Sequence, residues 1–148
     1  MYSTFALMVA FSISAPALKI PESKAESIVG EWEVVEMSIS GEPLELLTDA
    51  QKIIVQFESD HTMIATTGKS DSVKSTYKVD LTKTPFELDL RVVGAPLQDS
   101  SLGIFKFEGD RLIMASGFPG EPRPIGFTSV PGQKTPNILY HLERRKEK

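Results

Sequence analysis

The residue types that usually carry chemistry are sparse in this chain of 148 residues. There are two histidines, His61 and His141, far apart in sequence, and no cysteine. Zinc thiolate sites, disulfides, thiol catalysis and a lipidated cysteine are therefore excluded. No His-x-x-x-His pair, Gly-x-Ser-x-Gly elbow, Walker loop or dinucleotide glycine fingerprint is present. The glycine-containing stretch GFPGEPRPIG is broken by prolines, which lack an N–H, so it makes no regular phosphate cradle. The sequence thus offers no catalytic constellation, no metal ligand set and no cofactor motif.

Three charged residues have a context worth weighing. Asp80 and Asp89 flank LTKTPFEL. One reading pairs their carboxylates at a rim, to hold a cation or a polar substrate. The other has Asp80 capping the turn after its strand, as aspartate often does, and Asp89 meeting a guanidinium. Arg123 stands between Pro122 and Pro124, which keep its backbone extended. A fixed arginine can grip a ligand carboxylate, or it can fasten its own loop to Asp89 or Glu87. The structural reading is favoured in each case. An enzyme acting at an open rim would need these three residues.

The elements that would position them follow a period of two. Ile53, Val55 and Phe57 face one way, with a turn at Glu58 to Asp60 and a return strand from His61 to Thr67. SVKSTYKVD and FELDLRVV alternate cleanly. GIFKFEGDRLIMAS is a hairpin closed by Gly109-Asp110. IGFTSV and NILYHLER read as the last two strands. The segment Gly41 to Ala50 is a loop or one helical turn around Leu44 and Leu47. About nine short strands with regular turns predict an all-β, antiparallel fold. The connections are mostly short, which favours an up-and-down barrel of about eight strands over a Greek-key sandwich, because closure removes the edges.

The only tryptophan, Trp32, follows Gly30 by two residues at the head of the first strand. This Gly-x-Trp opening, with Arg144 or Arg145 after the last strand, resembles the opening of lipocalin-like barrels. The resemblance implies that Trp32 packs across the closed end with a basic side chain on its ring. A closer likeness covers residues 28–146. The order GEWEVVEM, YKVDLTKTPFELDL, GIFKFEGDRLIM, PRPIGF, LERRK resembles a lipocalin-like domain family abundant in planctomycete bacteria. Its Tyr-x-x-Asp-x-x-x-x-Pro-x-x-x-Asp run falls on Tyr77, Asp80, Pro85 and Asp89. Its Arg-Pro-x-x-Phe run falls on Arg123, Pro124 and Phe127. Two positions depart from the pattern: Phe105 where the family often has tyrosine, and Met114 where it often has cysteine. The resemblance implies a fold and transfers no catalytic residue.

The N-terminal stretch MYSTFALMVAFSISAPA has no charged side chain, an apolar run from Phe5 to Ile13 and a small-x-small Ala15-Pro16-Ala17. Residues 1–17 read as a signal peptide, although no lysine or arginine precedes the apolar run. An extracytoplasmic chain is the expectation. Residues 18–27 read as a linker or short helix opened by Pro21, and residues 28–148 as the barrel domain. The mature chain contains no membrane span. With 20 acidic against 16 basic residues the net charge is −4, which speaks against nucleic acid as a partner. No protein partner is indicated.

A barrel of this size is either filled by its own side chains or holds one small ligand. Phe57, Ile64, Ser75, Tyr77, Leu88, Phe105, Met114, Arg123, Phe127 and Tyr140 are the candidates for its interior and rim. Small or polar positions, Thr62, Ser75 and Ser116, would leave room and hydrogen-bonding groups. The expected function is binding of a small, largely apolar ligand inside the barrel. The alternative is a filled barrel that works through its loops.

Overall fold

Alternating apolar residues, short polar turns and almost no helix-forming periodicity leave the chain one economical way to bury its inward faces. It must close a single sheet on itself. The computed structural model describes residues 27–45, 50–69, 71–134 and 136–146. Its strands are β1 (Gly30–Ile39), β2 (Glu42–Leu44), β3 (Ile53–Phe57), β4 (Thr62–Thr67), β5 (Asp71–Asp80), β6 (Phe86–Val92), β7 (Ser101–Glu108), β8 (Arg111–Gly117) and β9 (Asn137–Arg144). Strand β1 pairs with β3, each later strand pairs with the next, and β9 returns to β1. All pairings are antiparallel. The result is a closed eight-stranded, calycin-like barrel. Strand β2 is an extra hairpin arm on the later half of β1.

The blurred alternation of the first strand has a structural cause. The β1–β9 register shifts between Val34 and Glu36. This bulge inserts one residue, so the inward parity changes from Trp32 and Val34 to Met37. Val34 then pairs with Leu142 and Met37 with Tyr140, both on the inward face. The core contains Trp32, Val55, Phe57, Met63, Tyr77, Leu88, Phe105, Leu112, Met114 and Leu142. Edge-on ring contacts join Phe57 to Tyr77 and Phe105 to Phe107. At the β7–β8 turn, Glu108 pairs with Arg111 across Gly109-Asp110, and Gly109 takes the positive φ of 61° that this turn needs.

One end of the barrel is shut around Trp32. Its ring is 2 % exposed, and its indole N–H donates to the Ile28 carbonyl at 2.8 Å. The Arg144 guanidinium lies 4.2 Å from the ring centroid, a cation–π contact. It is held there by donating to the carbonyls of Val29 and Ser27 at 3.0 and 2.8 Å. Of the two arginines, Arg144 covers the ring, while Arg145 pairs with Glu31. Gly30 has a φ of 138°, and a side chain there would run into the Arg144 guanidinium. The glycine is therefore required both by its dihedral angle and by the close approach.

Two expectations fall outside the described residues, and others are corrected. The helix expected over residues 18–27 falls almost wholly outside the described residues, and Ser27 is not helical. The signal peptide of residues 1–17 also lies outside them. Leu44 belongs to β2 rather than a helical turn, and Leu47 lies outside the described residues. The stretch IGFTSV is not a strand. It belongs to a proline-rich connection between β8 and β9, whose missing N–H groups weaken any pairing. This connection crosses the outer face of β7 and β8. On the outer side of these strands Ile104, Ile113 and Ala115 are buried, although they point away from the barrel interior. Among the described residues, no helix is long and apolar enough to cross a membrane.

Candidate ligand site at the barrel mouth

Opposite Trp32 the barrel is incompletely filled. The inward residues near this end are Ser75 on β5, Leu90 and Val92 on β6, Ser101 on β7, Ser116 on β8, and Ile138 and Tyr140 on β9. They enclose a cavity of about 170 Å³, with Asp99 and Pro119 at its lip. The register brings them together: Ser75 pairs with Val92, Leu90 with Ser101, and Ser116 with Ile138. The space follows from residue choice. Serine stands on three strands where the deeper positions of the same faces hold Tyr77, Phe105 and Met114.

The cavity is polar in a few places and apolar in the rest. Ser75 and Ser116 are 3 % and 8 % exposed. The Ser116 hydroxyl donates to the Gly117 carbonyl at 3.2 Å. Among the described residues, the hydroxyls of Ser75, Ser101 and Tyr140 have no hydrogen-bond partner in the protein. Each can donate and accept. Burial pushes the Tyr140 phenol above its ordinary ionisation range, so it stays protonated and able to donate. Leu90, Val92 and Ile138 supply the apolar wall. Val73 and Val92 lie on inward-facing positions yet are 50 % and 49 % exposed, which leaves an apolar rim.

The structure sorts the residues expected inside the barrel into three groups. Ser75 and Tyr140 line the cavity. Phe57, Tyr77, Leu88, Phe105 and Met114 belong to the deeper buried core and do not line this cavity. Tyr77 also spends its phenolic proton on the Glu58 carbonyl, at 2.5 Å. The third group corrects the sequence reading. Ile64 pairs with Gln56 and Lys74, on the outer face. Met63 and Ile64 are both apolar, and alternation alone does not choose between them; the pairing of Phe57 with Met63 puts Met63 inside. Phe127 sits outside the barrel, with the Lys106 ammonium 4.7 Å from its ring centroid. Arg123 is also outside. It contacts Asp89 at 2.7 Å and Glu87 at 3.5 Å, and donates to the Gly103 carbonyl at 2.7 Å.

The residues of the motif runs do structural work. Asp80 accepts from the Thr82 amide at 2.9 Å and from its hydroxyl, and so caps the turn before the cis Thr84–Pro85 bond. These hydrogen bonds hold its carboxyl below the usual aspartate range. Pro124 is buried beside Arg123. Asp89 and Arg123, far apart in sequence, meet as one ion pair that ties the β8–β9 connection to β6. His61 packs against Tyr77 with tilted rings, centroids 5.6 Å apart, and His141 lies on the outer face, 3.9 Å from Glu36. Among the described residues, no three histidine, aspartate or glutamate side chains gather into a metal site.

Sequence reasoning missed Ser101, Asp99 and Pro119 as cavity residues. A signal for Ser101 existed, because it shares the parity of Phe105 and Phe107 on β7. No comparable signal marks Asp99 or Pro119, which reach the mouth through loop geometry. No family model, curated protein or solved structure matches the chain.

Proposed function

We propose that this chain is an extracytoplasmic binding module whose barrel mouth holds one small, largely apolar molecule with a hydrogen-bonding group. The observation that carries the reading is the cavity of about 170 Å³, where hydroxyls without protein partners stand among apolar walls. Polar groups left unpaired in a half-buried site are costly unless water or a ligand satisfies them. The cavity has the volume of about five or six water molecules, and falls below the roughly 300–1,000 Å³ of pockets for drug-sized ligands. The ligand is therefore small. Its apolar part meets Leu90, Val92 and Ile138, and its polar group meets Tyr140 and Ser75. The uncharged Met1–Ala17 stretch supports export, with a mature chain beginning at Leu18.

Native mass spectrometry of the chain from its own host's extracytoplasmic fraction tests both parts. The expected result is the mass of residues 18–148 plus a small stoichiometric adduct that leaves on denaturation. Ser116→Leu, which fills the cavity, should fold and lack the adduct. A bare chain from the host, unchanged by added small-molecule extract, would refute ligand binding. It would favour the second reading, a filled barrel acting through its loops, which the aromatic packing of the deeper half supports. A full-length mass recovered only from the cytoplasm would refute export.

A further inference from the structure

A second concavity lies outside the barrel. The outer face of β5 and β6 forms its floor, and the 3-10 turn Leu97–Asp99 with Ser100 forms a wall. It measures about 450 Å³, within the range of small-molecule sites. Cross-strand pairs place Thr76 beside Arg91 and Lys78 beside Asp89 on this floor. Lys78 and Arg91 are thus diagonal neighbours, within mutual reach of long side chains.

The charges here are unbalanced. The Asp89 carboxylate is already engaged by Arg123 at 2.7 Å. Lys78 and Arg91 have no ion pair within 4 Å among the described residues. Lys74, further along the outward side of β5, lies outside the groove and faces Asp60, whose carboxyl it helps to hold low. Asp80, the nearest other acid on β5, spends its carboxylate on Thr82, though it lies close enough to feel Lys78. Asp99 lines the mouth cavity instead. Asp89 and Glu87, the two acids of β6 that flank Lys78 on this face, both lie against Arg123, which leaves Lys78 and Arg91 as the cations without an ion pair. The hydroxyls of Thr76 and Ser100 direct their protons to the carbonyls of Arg91 and Leu97, at 3.5 and 2.7 Å. Donors for an anion therefore come from the two cations. Beside them stand Leu102 and Leu97, the latter 73 % exposed. A solvent-facing leucine next to two unpaired cations fits an amphipathic guest.

We propose that this groove is a second binding site, for a small organic anion whose head group meets Arg91 and Lys78 and whose apolar body lies on Leu97 and Leu102. Arg91 can offer a carboxylate two parallel N–H donors, and Lys78 adds a point charge. The apolar body sets the preference over inorganic anions.

Hexanoate is the probe, with 1-hexanol and inorganic phosphate as controls, followed by amide chemical-shift mapping on the isotope-labelled full chain. The expected result is saturable movement of the Thr76, Lys78, Arg91, Ser100 and Leu102 amides with hexanoate, and weaker effects from either control. The double variant Lys78→Gln/Arg91→Gln, at solvent-facing positions, should retain its dispersed spectrum and lose hexanoate affinity by about tenfold or more. Leu97→Ser should weaken hexanoate while leaving phosphate unchanged. Shifts confined to Ser75, Ser116 and Tyr140, equal binding of hexanol and hexanoate, or unchanged affinity in the double variant would each overturn the proposal. If the double variant loses its fold, Arg91→Lys serves in its place. It keeps the charge and loses the two-donor fork, and undiminished binding would refute the role given to Arg91.

Discussion

Replacing Trp32 with alanine tests the logic of the closed end most directly. The ring is 2 % exposed, packs 6.3 Å from Phe107 between centroids and carries Arg144 on its face. Truncating a buried tryptophan costs about 3–5 kcal/mol. Two features push this site toward the upper end of that range. The Ile28 carbonyl loses the N–H donor that meets it at 2.8 Å, and the Arg144 guanidinium loses the surface it covers. Against the total stability of roughly 5–15 kcal/mol typical of a domain, Trp32→Ala should leave little margin. The assay is urea unfolding followed by far-ultraviolet circular dichroism, because the substitution removes the chain's only tryptophan fluorophore. Arg144→Ala alone should cost less, since Arg144 is exposed. The double-mutant cycle should show coupling of about 0.5–1 kcal/mol between ring and guanidinium. A Trp32→Ala variant with the wild-type urea midpoint would refute the claim that the ring seals the barrel. Zero coupling would refute the cation–π part and leave the packing part standing.

The register of β4 predicts opposite outcomes at adjacent positions. Met63→Ala should destabilise by about 2–5 kcal/mol, as a buried truncation does. Ile64→Thr, on the outer face, should cost under about 1 kcal/mol in the same urea experiment. Equal losses would contradict the pairing of Phe57 with Met63. Burial raises the Tyr140 and Tyr77 phenols above the ordinary tyrosine value of about 10. A raised folded-state value means that the associated stability is fully present below the unfolded pKa and is lost as pH rises through the folded one. Spectrophotometric titration should find two phenols ionising late, with unfolding in alkali, and Tyr140→Phe should remove one of them. Asp60 and Asp80 act in the other direction, because hydrogen bonds from Thr62 and Thr82 lower their values. Their contribution is present above about pH 4 and fades as pH falls through the lowered values. Carboxyl-resolved NMR titration should place both below ordinary aspartate, and Thr82→Val should return Asp80 toward it.

Much of the architecture was legible in the chain because a strand's side-chain period is two, and each strand needs only one wet and one dry face. SVKSTYKVD, FELDLRVV and NILYHLER announce both their faces and their antiparallel order. Glycine, tryptophan and a terminal arginine mark the sealed end, because their roles are local and tied to the first and last strands. Pattern fails where both faces of a strand are buried or where both members of a pair are apolar. Ile113 and Ala115 are buried on the outer side, which a period-two reading assigns to solvent. Phe127 looks like a core residue and instead stands outside the barrel beside Lys106.

The sequence by itself determined an all-β barrel, its Trp32 end, the turn at Asp80 and the absence of cysteine chemistry. Only the tertiary structure decided which serines share a cavity, how large that cavity is, and that Arg123, expected to meet Asp89 or Glu87, contacts both. Those depend on register around a closed ring, where each strand's shift is set by every other strand, so no single segment encodes them. The two unpaired cations on the outer face are likewise visible only after pairing, because their neutralising partners would come from strands and loops distant in the chain.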